Sequence, residues 1–373
     1  MLALRRNFGT VLEPAAGDGA FAARLPGCTA IELDGRHCPP GALNLDFFAY
    51  PERHRFDTII GNPPYVRYQD IQPSTKALLP RDLFDGRSNL YLFFIEKCLR
   101  HLNPGGELIF ITPRDFLKAT SSVRLNRWLY QQGTITDAID LGDLRLFEDA
   151  LPNCLIWRFV KGDLSRRTRY STWGGVAEER HFLECAGHLL FTRGHYPLRL
   201  SQLCYVKVGA VSGDDAVFAS EVHGNRDFVC SQTARTGRLR RMIYNERLPY
   251  LERFKERLLA RRIKRFDESN WWTWGRNLHE SQRPRVYVNA KTRTARPFFL
   301  HDCPNFDGAV LAVFPRDPRQ DVHALCAALN GVDWADIGFV CDGRYLFTQR
   351  SLENAPLPAA FACFLQKEEA ATG

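Results

Sequence analysis

Apolar and polar positions alternate in two rhythms over residues 10–160. Short runs rich in branched and aromatic residues at 10–13, 28–33, 42–45, 56–60, 107–112, 135–141 and 154–160 read as strands. Residues 90–102 and 123–132 carry apolar side chains at helical spacing, broken by Asn103-Pro104-Gly105-Gly106 and by Gly133. A further helix is expected to open after the turn at Pro14-Ala15-Ala16-Gly17-Asp18-Gly19. Strands separated by helices in this way predict an α/β fold. The expected core is a Rossmann-like, mostly parallel, seven-stranded sheet with helices on both faces.

Beyond residue 160 the pattern changes. Residues 161–170 are polar and basic and read as a linker or the start of a second domain. Residues 205–220 predict two strands around a Ser212-Gly213-Asp214-Asp215 turn, and 248–263 predict a helix with a basic face. Further strands are expected at 285–291 and 309–314. A length of 373 residues favours two domains, set at 1–165 and 166–373, the second a mixed α+β unit.

Charge separates the two halves. Residues 1–160 hold 18 basic and 18 acidic side chains, whereas 226–300 hold 19 against 7, a local excess of +12. So dense an excess points to a polyanionic partner such as double-stranded DNA. Arg235, Arg238, Arg240, Arg241 and Arg276 are the candidate contacts. The cluster Trp271-Trp272-Thr273-Trp274 is expected mainly to pack the second domain, since tryptophan is highly buried on average. No apolar run approaches the roughly 18 residues that span a bilayer, and no cleavable leader is read at the start. The eleven cysteines show no paired metal spacing and read as reduced thiols of a cytoplasmic, monomeric protein without a bound metal.

The polar residues with chemical promise fall at strand ends, where open α/β sheets bind ligands. Glu13 closes the first predicted strand, just before the glycines Gly17 and Gly19. A carboxylate there repels phosphate and suits a cationic amino group. Glu32 ends the second strand, at the place where such folds hold ribose hydroxyls. Asp46 and Phe47 follow the third, offering an acceptor for an adenine amine and a ring to cover its face. A ligand with a ribose, an adenine, a positive group and no phosphate is S-adenosylmethionine.

The fourth strand runs into Gly61-Asn62-Pro63-Pro64-Tyr65. Two prolines end the strand and stiffen the chain beyond it. Asn62 offers a side-chain carbonyl, Pro63 a main-chain carbonyl, and Tyr65 a flat ring. That is a rigid set of acceptors beside a stacking surface, suited to gripping an exocyclic amine on a planar base. The lone pair of such an amine is delocalised into its ring. Two carbonyls aimed at its hydrogens favour a tetrahedral nitrogen and free that pair for attack on a sulfonium methyl.

In combination, VLEPAAGDGAF, IELD, DFF and IIGNPPY resemble the N6-adenine DNA methyltransferases of the gamma arrangement, the Taq restriction-modification type. NLYLFFIEKCLRHLNPGGELIFITPRDFL and LFEDALPNCLIWRF are similar to later parts of that catalytic domain. VGAVSGDDAVF and YLERFKERLLARR are similar to its target-recognition domain. The resemblance implies a catalytic domain at 1–165 and a DNA target-recognition domain at 166–373. It implies that Glu13 with Pro14, Ala15 and Gly17 holds the methionine end of the cofactor, Glu32 its ribose, and Asp46 and Phe47 its adenine. It assigns Asn62 and Pro63 to the target amine, and Tyr65 and Phe147 to the two faces of a flipped-out base. The family also carries a cofactor motif near an F-x-T-P before its first strand; the nine residues ahead of Thr10 contain none.

Two other readings share parts of this pattern. A protein glutamine N5-methyltransferase also uses NPPY on an amide-type nitrogen, but the basic second half favours DNA. A non-catalytic DNA-binding subunit with impaired cofactor binding is opposed by Glu13, Glu32, Asp46 and Asn62 together. A restriction endonuclease or a specificity protein is the expected protein partner.

Overall fold

Strand order in the first half follows the apolar runs closely. The computed structural model describes residues 1–84, 88–142, 153–341 and 343–365. Within them the chain forms two compact units, Met1–Gly194 and His195–Gly373.

The first unit is built on one sheet. Its strands are β1 (Val11–Glu13), β2 (Thr29–Glu32), β3 (Leu43–Asn44), β4 (Phe56–Gly61), β5 (Leu102–Pro113), β6 (Gly133–Asp140), β7 (Cys154–Lys161), β8 (Arg167–Thr172), β9 (Glu178–Cys185) and β10 (His188–Thr192). Their order across the sheet is β10-β9-β8-β6-β7-β5-β4-β1-β2-β3. Neighbours from β3 to β5 run parallel, and β7 enters antiparallel between β5 and β6. The seven expected strands are thus all present. The sheet then continues: β8 adds parallel to β6, and β9 and β10 come next as antiparallel strands.

That continuation corrects two expectations. The stretch from residue 167 is strand rather than linker, and the division falls at 194/195 rather than 165/166. Charged side chains hid this strand. Arg167 pairs with Glu179 at 2.9 Å, and the Arg180 guanidinium lies 3.8 Å above the Tyr170 ring. Ion pairs across strands and cation–π contacts supply the lateral packing that apolar alternation signals elsewhere.

Three helices matter for the site: α1 (Pro73–Leu78), α2 (Leu90–His101) and α3 (Val123–Gln132). Asn89 caps α2 by accepting the Tyr91 N–H, and almost every residue of that helix is buried. Its Phe93, Phe94, Ile95 and Leu99 pack with Leu12, Ile59, Leu108 and Phe110 of the sheet in the principal core. Each fully buried side chain of this size contributes about 1.5–3 kcal/mol. Gly133 ends α3 because β7 passes close by: a Cβ there would lie 2.1 Å from the Val160 carbonyl oxygen. After β1 the chain makes only the short 3-10 turn Ala22–Arg24, not the expected helix.

The second unit holds a four-stranded antiparallel sheet in the order Cys204–Val208, Val310–Pro315, Val286–Asn289, Phe298–Phe299. The second predicted strand of 205–220 is instead the helical turn Asp215–Phe218. Ser212 initiates it, donating to Asp215 and accepting the Asp214 N–H at 3.1 Å. The predicted helix at 248–263 is two short ones, Pro249–Glu252 and Lys255–Leu259. Trp271 and Trp274 are fully buried, and Trp274 stacks on Phe228 with centroids 4.8 Å apart. The tryptophan cluster therefore packs this unit. Arg261 is buried beneath it and donates to the carbonyls of Leu258, Ser212, Trp271 and Thr273, a substitute for backbone pairing in an irregular segment. No helix among the described residues is long and apolar enough to cross a membrane. None of the described cysteines forms a disulfide.

Candidate functional site

Four neighbouring strands, in the order β4-β1-β2-β3, end on the same edge of the sheet. Glu13 and Glu32 are the last residues of β1 and β2, Asp46 lies two residues beyond β3, and Asn62 follows β4 directly. Strands stand about 4.8 Å apart, so the four side chains span a single small-molecule length. A cavity of about 670 Å³ opens there. Pro14, Ala15, Gly17, Glu32, Asp46, Phe47 and Asn62 all contribute to its lining. Its volume is in the range of sites that enclose a small ligand.

The loop after β1 is shaped from beneath by the two glutamates. Glu13 is 1% exposed and does not line the cavity. Its Oε2 accepts the Ala22 N–H at 2.7 Å, tying down the far end of the turn. Burial, with Asp18 and Glu32 close by, pushes its carboxyl up to about 7, against the pull of the Ala22 and Phe21 N–H groups. Glu13 therefore braces the loop from beneath. Glu32 does reach the cavity. Its Oε2 accepts the Gly17 N–H at 2.7 Å and its Oε1 the Asp34 N–H at 2.8 Å. Gly17 sits at φ +53°, a left-handed conformation that glycine adopts freely.

Asp46 caps the 3-10 turn Phe47–Ala49, its Oδ1 accepting the Phe48 N–H at 2.8 Å. The Phe47 ring is buried against Phe94 of α2, 5.2 Å between centroids. Lys97 of the same helix donates to the Phe48 carbonyl at 2.7 Å, and burial pulls its ammonium below the usual range. Opposite charges on the wall cancel: Arg36 pairs with Asp34 at 2.6 Å. The cavity thus presents carboxylate acceptors and aromatic carbon, and among the described residues its lining holds no uncommitted cation for a phosphate. That set of carboxylate acceptors and aromatic carbon fits S-adenosylmethionine, a nucleoside with a positive group and no phosphate.

Of the four residues expected at the reacting amine, Asn62 is exposed and lines this same cavity. Pro63 is buried, and Pro64 rather than Pro63 meets the cavity. Tyr65 is half-buried, donates its hydroxyl to the Ile111 carbonyl at 3.0 Å and meets Tyr91 edge-on at 5.9 Å. Neither Pro63 nor Tyr65 contributes to the lining. Phe147 lies outside the described residues.

Sequence reasoning missed several lining residues. Leu33, 51% exposed at the end of β2, and Phe94 bring apolar surface to the cavity. Ile71, Gln72 and Thr75 arrive from the segment that comes after Asn62. Leu33 could have been found as an apolar residue stranded between Glu32 and Asp34; the others carry no local signal.

In the second unit the five candidate arginines divide. Arg240 pairs with Asp215 at 2.9 Å and with Asp307 at 3.3 Å, and Arg241 with Asp227 at 3.0 Å. These two hold the unit's own carboxylates. Arg235, Arg238 and Arg276 are exposed, and among the described residues no carboxylate pairs with them.

Residues 41–147 match the family described as Eco57I restriction-modification methylase. The type II methyltransferase M.HincII of Haemophilus influenzae is 28% identical over 172 residues, 43% of this chain and 34% of that protein. The type II methyltransferase M.TthHB8I of Thermus thermophilus is 33% identical over 174 residues, 41% of this chain and 40% of that protein. The match thus spans well under half of either relative. Among solved structures, the type IIL restriction-modification enzyme MmeI in complex with DNA aligns with 93% of this chain and 62% of its own, at 13% identity and a TM-score of 0.48. The type IIG restriction endonuclease BpuSI aligns with 95% of this chain and 56% of its own, at 12% identity and a TM-score of 0.42. Over somewhat more than two fifths of its length the chain is thus similar to type II methyltransferases, and its residues 41–147 match the Eco57I restriction-modification methylases.

Proposed function

We propose that this protein is a site-specific DNA adenine methyltransferase. It moves a methyl group from S-adenosylmethionine to N6 of an adenine flipped out of duplex DNA, within a restriction-modification or defence system. The observation that carries the reading is that Asn62 lines the same cavity as Glu32 and Asp46. An acceptor for a target amine and the acceptors for a nucleoside cofactor share one space.

The cofactor supplies an electrophilic methyl on a sulfonium. The chain's own residues do the rest. Glu32 takes the ribose hydroxyls, and Asp46 with Phe47 takes the adenine. Pro14, Ala15 and Gly17 present loop backbone to the methionine end. Asn62 accepts a hydrogen bond from the target amine, which localises its lone pair for attack. The Pro63 carbonyl is the second acceptor, held in place by proline stiffness. Tyr65 gives up its contact with Tyr91 to stack on the extruded base, with Phe147 on the opposite face. No strong base is needed, because the N6 proton leaves after the methyl has arrived. Extrusion costs a few kcal/mol, which stacking offsets.

The second unit is the target-recognition domain in this reading. Arg235, Arg238 and Arg276 are its exposed DNA contacts, and binding weakens steeply with salt. A restriction endonuclease or specificity protein acts with it.

The test is incubation with methyl-labelled S-adenosylmethionine and duplex DNA, followed by nucleoside analysis. Label in N6-methyladenine is the expected result. Label in a glutamine side chain of an added protein, and none in DNA, would establish the glutamine N5 reading instead.

A further inference from the structure

Thr75 stands out among the residues for which neither the sequence motifs nor the relatives supply a role. It is 4% exposed, lines the cavity, and donates its hydroxyl to Asp46 Oδ2 at 2.5 Å. Asp46 Oδ1 is already held by the Phe48 N–H at 2.8 Å. One donor therefore grips each oxygen, and the plane of the carboxylate is fixed. A carboxylate offers about four lone-pair sites, so two remain for a ligand. Left to itself an aspartate side chain turns broadly about its last torsion. The turn that carries Asp46 is anchored independently by Lys97 at the Phe48 carbonyl, 2.7 Å away. Removing the Thr75 hydroxyl would thus loosen the carboxylate while leaving its backbone in place. α1 itself is set by Pro73 at its first turn and by the buried Ile71 before it.

We propose that Thr75 is a positioning residue that aims the Asp46 carboxylate at the exocyclic amine of the cofactor's purine. It thereby sets the preference for a 6-aminopurine over a 6-oxopurine nucleoside. The proposal rests on the reading of this cavity as the S-adenosylmethionine site. A 6-amino group donates to the fixed carboxylate. A 6-oxo group places an acceptor against an acceptor, and sites that read a polar group in this way discriminate strongly.

The experiment is calorimetric titration of the full chain with S-adenosylhomocysteine and with S-inosylhomocysteine, which differ at position 6 and in the proton that the oxopurine carries on the adjacent N1. The wild type should prefer the adenine nucleoside. Thr75→Val should shrink the ratio of the two Kd values by about tenfold or more, through the adenine arm, and Thr75→Ser should restore it. Asp46→Asn is the reference for full loss of the preference. If Thr75→Val weakens both ligands equally, or leaves the ratio unchanged, Thr75 is a packing residue and the proposal is overturned. If the wild type binds neither nucleoside, the cofactor reading falls and takes the proposal with it. Thr75→Ala, which also removes the hydroxyl, carries the same expectation should the valine variant fail to fold.

Discussion

The Gly17 N–H donates to Glu32 Oε2 at 2.7 Å, so the end of β2 holds the loop that succeeds β1. The same carboxylate accepts the Asp34 N–H through its other oxygen and lines the cavity. One side chain thus shapes two stretches of backbone and faces the cavity. Glu32→Ala should raise the Kd for S-adenosylhomocysteine by about 10–100-fold, since hydrogen bonds to charged groups contribute about 1.5–3 kcal/mol. Glu32→Gln keeps one acceptor oxygen and should lose less. Titration calorimetry on both variants checks the order.

Asn62 lines the cavity and is exposed just past the end of β4; in the proposed chemistry it accepts from the target amine. Asn62→Ala should therefore lower kcat by about 10²–10³, the usual cost of removing one preorganised hydrogen-bonding group from a reacting centre. Thermal stability and duplex affinity should stay near those of the wild type. Turnover at the wild-type rate would remove Asn62 from the proposed chemistry.

The sheet was legible because its buried strands are nearly continuous apolar runs, as parallel strands covered on both faces must be. Phe56–Gly61 is a clear case, and the structure matches the predicted strand to within one residue. β8 to β10 were not legible, because Arg167, Glu179, Arg180 and Tyr170 hold them through charge and ring contacts. At the site, residues placed by a strand end could be named in advance: Glu32, Asp46, Phe47 and Asn62 all reach one cavity. Glu13 shows the limit of that logic. Its position at a strand end is as predicted, yet its carboxylate turns under the loop to Ala22. Position along a strand is written in local sequence; which way a side chain turns depends on the unpaired N–H groups around it. Thr75 had no local signal at all, since only the fold brings α1 to Asp46.

Glu13 makes a pH prediction. Its folded-state carboxyl is raised to about 7, above the ordinary value of 4.5, chiefly by burial. Between those values the folded chain holds a proton that the unfolded chain has released, so stability falls as pH rises from about 4.5 to 7. The loss approaches about 3 kcal/mol at full shift, at about 1.4 kcal/mol per unit. Glu13→Gln keeps an acceptor for Ala22 without a titrating group. Denaturant unfolding at pH 5 and pH 8 should show the wild type losing stability relative to Glu13→Gln. Parallel pH dependence in the two proteins would show that Glu13 is ionised at no cost.

Arginines of the second unit separate by what they touch. Arg240 lies 3.3 Å from Asp307, a carboxyl with 4% of its side chain exposed and pushed up to about 6, first by burial. Arg240→Ala removes the one cation paired with that group among the described residues. The variant should lose about 1–3 kcal/mol of stability, the cost of a buried polar group left underpaired. Arg235 and Arg238 have no such partner among the described residues. Arg235→Ala and Arg238→Ala should leave unfolding midpoints unchanged. Each should lower the slope of log K against log salt for duplex DNA by about 0.9, the signature of one lost phosphate contact. Denaturant melts and salt-titrated binding on the three variants distinguish the roles. Should Arg235→Ala unfold the domain while Arg240→Ala alters only the salt slope, the assignment of structural and DNA-facing arginines would have to be exchanged.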